Sequence, residues 1–142
     1  MKWKNEPAYI DSNVFIYPIL YAEEVDIRVK NAAEILKGIA KGEFPAFTST
    51  LTWDEVVWAV RKTLGKNESI NEGQKLLGFV NLQFISFDEN ILSEAQRVMS
   101  SYGLKPRDSI HVASAINRKL NTIISDDQDF DVVREINRFP LC

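Results

Sequence analysis

The sequence has little with which to build a disulfide framework, a zinc centre or a membrane span. Its one cysteine among 142 residues is Cys142, which cannot close an internal bridge and fits a reducing, cytoplasmic setting. One histidine, His111, is too few for the familiar zinc ligand sets and is expected to be packed or hydrogen-bonded. The longest apolar runs, residues 14–21 and 56–60, fall far short of the roughly 20 residues that span a bilayer. No basic stretch followed by an apolar one opens the chain, so no secretory signal is expected. Positive charge is scarce as well: 17 Lys and Arg against 20 Asp and Glu leave a net charge of −3. Proteins that grip nucleic acid by charge alone are usually basic. A nucleic-acid role here would need bound metal ions, local Lys and Arg, or a basic partner. Internal repeats, low-complexity segments and linkers are absent, which leaves residues 1–142 as one domain with a core large enough to fold unaided.

What the chain does have is alternation. Short apolar runs at 8–10, 45–48, 82–87 and 122–125, with a fifth near 136–139, are spaced by segments of helical periodicity. Val29, Ala32, Ala33, Leu36, Ile39 and Ala40 mark one helix, with Gly42 as its stop. Trp53, Val56, Val57, Val60 and Leu64 mark another, closed by Gly65, before a polar stretch at 66–70 that reads as a loop. A helix carrying Leu76, Leu77 and Val80 comes next, followed by one capped by Asp88 and ended by Gly103. Pro106 opens a last helix reaching about Lys119. Pro18 predicts a kink or break in the first helix. The pattern implies an α/β fold: a mainly parallel sheet covered by helices on both faces.

Four acids lie where strands end or helices begin: Asp11, Glu55, Asp108 and Asp127. In a parallel sheet such breaks gather at one edge, outside the carboxyl ends of the strands, where ligands bind. Carboxylates about 5 Å apart repel by roughly 3 kcal/mol per pair at an effective dielectric near 20. A hard divalent cation, which takes oxygen ligands, would convert that repulsion into a binding site.

Each acid also has a plainer role. Asp11 can cap the helix after the first strand, although Ser12 and Asn13 can do the same. Glu55 fits a capping box with Thr52, and Asp54 is a solvated alternative. Asp108 suits the positive end of its helix dipole. That helix, with Ile110, Val112, Ala113, Ala115 and Ile116, is apolar enough to be buried, which sets Asp108 at the mouth of a buried element. Ser125-Asp126-Asp127-Gln128-Asp129 is either a polar turn or a ligand loop, and it lacks the glycine and glutamate of an EF-hand. Asp127 is the preferred ligand there, with Asp126 and Asp129 in reserve and Ser125 able to orient a water or a phosphate oxygen. Arg107, Lys105 and Arg61 are candidate phosphate contacts, whereas Lys62 reads as solvated.

These segments together resemble the PIN-domain family, most closely its VapC-type toxins. The resemblance rests on Tyr9-Ile10-Asp11-Ser12-Asn13-Val14-Phe15, Thr50-Leu51-Thr52-Trp53-Asp54-Glu55, Arg107-Asp108-Ser109-Ile110-His111-Val112-Ala113-Ser114-Ala115 and Ile124-Ser125-Asp126-Asp127-Gln128-Asp129-Phe130. It implies a three-layer α/β/α sandwich with an acidic quartet on Asp11, Glu55, Asp108 and Asp127. Asn13 and Ser125 would be supporting residues. It also implies a cytoplasmic Mg²⁺- or Mn²⁺-dependent ribonuclease, often a homodimer, held inactive by an antitoxin protein. The alternatives are an RNA-processing nuclease outside such a pair and a non-catalytic RNA-binding module. A phosphatase of the haloacid-dehalogenase type would need a second Asp two residues after Asp11, where this chain has Asn13.

Finally, Trp53, Trp58, Phe15 and Tyr17 are candidates either for the core or for a protein interface.

Overall fold

A computed structural model describes residues 6–142. Five short strands, β1 (Ala8–Ile10), β2 (Ala46–Ser49), β3 (Leu82–Ile85), β4 (Thr122–Ile124) and β5 (Asn137–Phe139), form one sheet in the order β3-β2-β1-β4-β5. Every pairing is parallel, with Tyr9 opposite both Phe47 and Ile123, and Thr48 opposite Phe84. Six helices surround the sheet: α1 (Ser12–Leu20), α2 (Ile27–Ala40), α3 (Leu51–Leu64), α4 (Lys66–Leu77), α5 (Glu89–Tyr102) and α6 (Pro106–Asn117).

Side chains alternate across a strand, and that alternation divides the interior into two cores. Ala8 and Ile10 of β1 and Ile124 of β4 pack with α1 to α4 through Val14, Ala32, Ile35, Val56, Val60 and Leu76. Tyr9 and Ile123, the intervening residues, face the other side with Val98 of α5 and Val112 and Ala115 of α6. The result is the three-layer α/β/α sandwich, with helices on both faces of the sheet.

Several local expectations are corrected. Pro18 does not break α1, which continues to Leu20. It removes a backbone donor only near the helix end, where the Tyr21 N–H still bonds the Tyr17 carbonyl at 2.9 Å. Residues 66–70 are not a loop but the first turns of α4. Gly65, at φ +96°, ends one helix and starts the next, and the polar residues occupy a mostly exposed face. Val80 lies beyond α4 and is exposed. In α3, Val56 and Val60 are buried as the stripe predicts, but Trp53 and Leu64 at its margins remain 41% and 46% exposed.

Gly103 closes α5 in the left-handed region, φ +70°, and an added Cβ there would meet no atom within 4 Å. The cost of Gly103→Ala is therefore backbone strain alone, expected at about 1 kcal/mol. Urea denaturation should show that loss, with Gly103→Asn losing less.

Candidate metal centre and active site

Because every strand is parallel, the carboxyl ends of β1, β2 and β4 emerge at one edge, and the sequence places Asp11, Ser49 and Ser125 there. Asp11, 5% exposed, caps α1 through its Oδ1, which accepts the Ser12 N–H at 2.8 Å. Its Oδ2 accepts from Ser125 Oγ at 2.6 Å and from Asn13 Nδ2 at 3.2 Å. The capping role is thus real, and one oxygen does it while the other is fixed by neighbours across the sheet. Ser125 Oγ also accepts the Asp127 N–H at 3.0 Å, so one hydroxyl ties the first acid to the last acidic loop. With Asn13 Nδ2 a further 3.3 Å away, that hydroxyl is occupied by protein rather than left for a water or phosphate.

The expected capping box at Glu55 does not form. Helix α3 starts earlier, with Ser49 Oγ accepting the Leu51 N–H at 3.0 Å. Thr52 is buried and donates to Thr48 Oγ1 at 2.7 Å, while Thr48 donates to the Ile10 carbonyl. Released from capping, Glu55 turns inward, and its Oε1 lies 2.5 Å from His111 Nε2. Asp54 is exposed, as expected of a solvated residue.

His111 is the hub. It is 1% exposed, lies one turn after Asp108 on α6, and reaches Glu55 and, at 3.9 Å, Asp11 Oδ1 with the same nitrogen. Its Nδ1 sits 2.6 Å from Tyr9 Oη, which in turn accepts the Ser49 N–H at 3.1 Å. His111, expected from the sequence to be packed or hydrogen-bonded, is both, but the sequence pattern did not single out Tyr9 as its partner. The available signal was a tyrosine in the centre of a buried strand, since buried phenols need a polar partner.

Asp108, Asp127 and Asp129 each offer a carboxylate oxygen, all within 4.8 Å of one another. Asp126, the other reserve ligand, is engaged elsewhere: its Oδ2 accepts from Tyr17 Oη at 2.6 Å and from Arg28 Nη1 at 3.1 Å. The loop is braced on its other side by Arg138, whose Nη1 donates to the Ser125 carbonyl at 3.1 Å.

The electrostatics join the trio to the buried pair. Burial, then the charges of Asp127 and Asp11, push the Asp108 carboxyl up to about 6. Burial likewise raises Asp11, with Glu55 adding to the rise and His111 and Ser125 only partly opposing it. For His111, burial favours the neutral ring, but the Glu55 hydrogen bond and the charges of Asp11, Glu55 and Asp108 together raise its affinity for a proton. The four acids therefore share one field. An all-carboxylate donor set fits a hard divalent cation and does not fit tetrahedral zinc.

The basic candidates divide. Lys105 and Arg107 are exposed at the start of α6, beside Asp108. Arg61 lies in the last turn of α3, six residues beyond Glu55, which is about 9 Å along the helix and roughly 120° around it. Lys62 sits 5.8 Å from the Trp58 ring centroid.

Comparison with known proteins places this arrangement in a family. The PIN domain family model matches residues 8–136, and the chain belongs to the PIN-domain family. Among solved structures it is similar to a toxin–antitoxin complex from Klebsiella pneumoniae, with 20% identity over 92% of this chain and 95% of that one and a TM-score of 0.66. It is also similar to VapBC2 from Rickettsia felis bound to a promoter DNA fragment, with 16% identity, coverage of 94% and 98%, and a TM-score of 0.68. A third relative in fold is VapC20 from Mycobacterium tuberculosis, a sarcin–ricin loop cleaving toxin, with 11% identity, coverage of 87% and 92%, and a TM-score of 0.70. At these identities the likeness is one of fold. A search of curated protein sequences finds no significant match. No helix among the described residues is long and apolar enough to cross a membrane.

Two outcomes follow from the site. A carboxyl with a raised folded-state pKa stabilises the fold where it is protonated. The Asp108 contribution is therefore complete below about pH 4 and lost as pH rises through about 6. In EDTA the protein should melt lower at about pH 7.5 than at about pH 5. Asp108→Asn should flatten that difference and stabilise the metal-free protein near pH 7 by on the order of 1 kcal/mol. Tyr9→Phe strips the Ser49 N–H and His111 Nδ1 of a buried partner, which should cost about 1–3 kcal/mol in urea denaturation.

Proposed function

We propose that this PIN-domain protein is a metal-dependent endoribonuclease and the toxin of a VapBC-type toxin–antitoxin pair. One observation supports the reading: carboxylate oxygens of Asp108, Asp127 and Asp129 lie within 4.8 Å of one another, while Asp11, after β1, and Glu55, on α3, meet at His111 one turn further along α6. The fold likeness to members of toxin–antitoxin complexes, and to a sarcin–ricin loop cleaving toxin, supports the class of activity and the partner.

Asp108 and Asp127, with Asp129 beside them, would hold Mg²⁺ or Mn²⁺ together with Asp11. When bound, such an ion would activate a water for in-line attack and would neutralise charge on the phosphate and leaving oxygen. Ser125 and Asn13 hold Asp11 in a fixed orientation. His111 holds one oxygen of Glu55, and the other would be left for the ion or its water. Lys105 and Arg107 would draw the phosphate backbone to the mouth, offsetting a net charge of −3. Attack by water rather than by the ribose 2′-hydroxyl leaves a 5′-phosphate and a 3′-hydroxyl.

Two surfaces support partners. A 430 Å³ groove between α1, α2, α3 and α4, lined by Phe15, Ile19, Leu36, Val56 and Phe79 and edged by Glu68 and the Glu72–Lys75 ion pair, suits the apolar face of an amphipathic antitoxin segment. On α3 and α4, Trp53, Trp58, Ile70 and Leu77 are 41%, 55%, 54% and 62% exposed, which suits a second copy in a homodimer. A cytoplasmic location accords with this reading.

Asp11→Asn and Asp108→Asn should each abolish Mn²⁺-dependent cleavage of RNA, a loss of at least about a hundredfold by gel assay, while circular dichroism stays native. Retained cleavage in both variants would reject the assignment. RNA affinity without turnover in Mn²⁺ would make the protein a binding module instead.

A further inference from the structure

Beside the acids lies a second, smaller cavity of 240 Å³, lined by Tyr17, Tyr21, Val25, Asp26 and Arg28. It is below the roughly 300–1,000 Å³ of pockets for drug-sized ligands, and suits a single flat ring. We propose that it is a nucleobase-stacking subsite, taking one unpaired base of the RNA next to the bond being cut. This deepens the ribonuclease reading and rests on it.

Most of the hydrogen-bonding groups of the cavity, apart from the Tyr21 hydroxyl, are already engaged. Tyr17 Oη donates to Asp126 Oδ2. The Arg28 guanidinium is clamped on two sides, with Nε and Nη2 bonded to Asp26 and Nη1 to Asp126. What remains is flat surface: the guanidinium face, with the side chain 43% exposed, and the ring of Tyr21, 54% exposed. The two tyrosines stand edge to face, centroids 6.1 Å apart and planes 72° apart, so they form two walls rather than a closed stack. Val25, 75% exposed, adds an apolar lip. Rings and guanidinium planes with consumed edges stack bases without reading their identity.

Position favours a base over a protein side chain. Asp126, which holds both Tyr17 and Arg28, is adjacent in sequence to Asp127 of the acidic trio. Its N–H is directed at Asn13 Oδ1, 3.4 Å away, and Asn13 also bonds Asp11. Asp126 thus ties two lining residues of the cavity to the loop that carries the acids, so a strand with a phosphate at the acids would bring a neighbouring base towards this cavity.

The test is binding of a fluorescein-labelled single-stranded RNA octamer of mixed sequence to the full chain in Ca²⁺, read by anisotropy, with gels confirming intact RNA. Tyr21→Leu removes the ring without changing charge and should weaken binding about tenfold, while Tyr21→Phe should stay within about twofold of wild type. A 5-iodouridine version of the octamer should photo-cross-link to Tyr17 or Tyr21 by peptide mass. Unchanged binding by Tyr21→Leu would leave the cavity to a protein side chain and overturn the proposal. Equal losses in Leu and Phe variants, a cross-link elsewhere, or no RNA binding by the wild-type chain would overturn it too. The two readings fail separately. A wild-type chain that cross-links through Tyr21 but never cuts RNA in Mn²⁺ refutes the nuclease alone. One that cuts RNA while Tyr21→Leu binds normally refutes the subsite alone.

Discussion

Mutual repulsion among buried and half-buried carboxylates is the constraint around which this structure is arranged. Asp11 and Asp108 come from opposite ends of the chain and are brought to one edge by a sheet whose strands all run the same way. Burial and their neighbours raise the proton affinity of both. Neutral donors offset part of that cost, namely the Ser125 hydroxyl, the Asn13 amide and the Ser12 N–H on Asp11. The remainder is stored as an affinity for positive charge, which is why a site that weakens the free protein is suited to a cation.

The division of the interior into two cores serves this site directly. Alternation along β1 sends Ala8 and Ile10 to the α1–α4 side and Tyr9 to the α5–α6 side. Tyr9 thereby reaches His111 on α6, and His111 reaches back over the sheet edge to Glu55 on α3. A polar chain spanning both layers links the packing of the helices to the orientation of one carboxylate. Its stability and the geometry of the acids are therefore coupled, since no member can move without leaving a buried polar group unpaired.

Charge is arranged locally rather than globally. A chain of net charge −3 keeps Lys105 and Arg107 exposed beside the acids, while Arg28 and Arg138 are spent bracing the acidic loop from either side. That division separates cations that hold the protein together from cations left free to meet a polyanion. It also explains why Asp126, a reserve ligand by sequence, bonds Tyr17 and Arg28 instead of joining the trio.

Strand and helix order, the parallel sheet and the caps at Asp88, Gly65 and Gly103 were determined by periodicity and by local backbone chemistry, which act within a few residues. That acids from separate elements come to the sheet edge was legible from their positions at element breaks, whereas the tight grouping of Asp108 and Asp127 with Asp129 was not. Three matters were decided only by tertiary structure. Whether Thr52 and Glu55 capped their own helix or turned inward depended on Thr48 and His111, respectively 4 and 56 residues away. Which acid after β4 joined Asp108 depended on Tyr17 and Arg28 claiming Asp126 first, across a separation of about a hundred residues. The helical start of α4, with its polar residues, became readable only once the exposed face was known. Local patterns fix which conformations a segment prefers, whereas the partner of a polar side chain is set by which distant group the fold brings within hydrogen-bonding distance, and that pairing has no period to read.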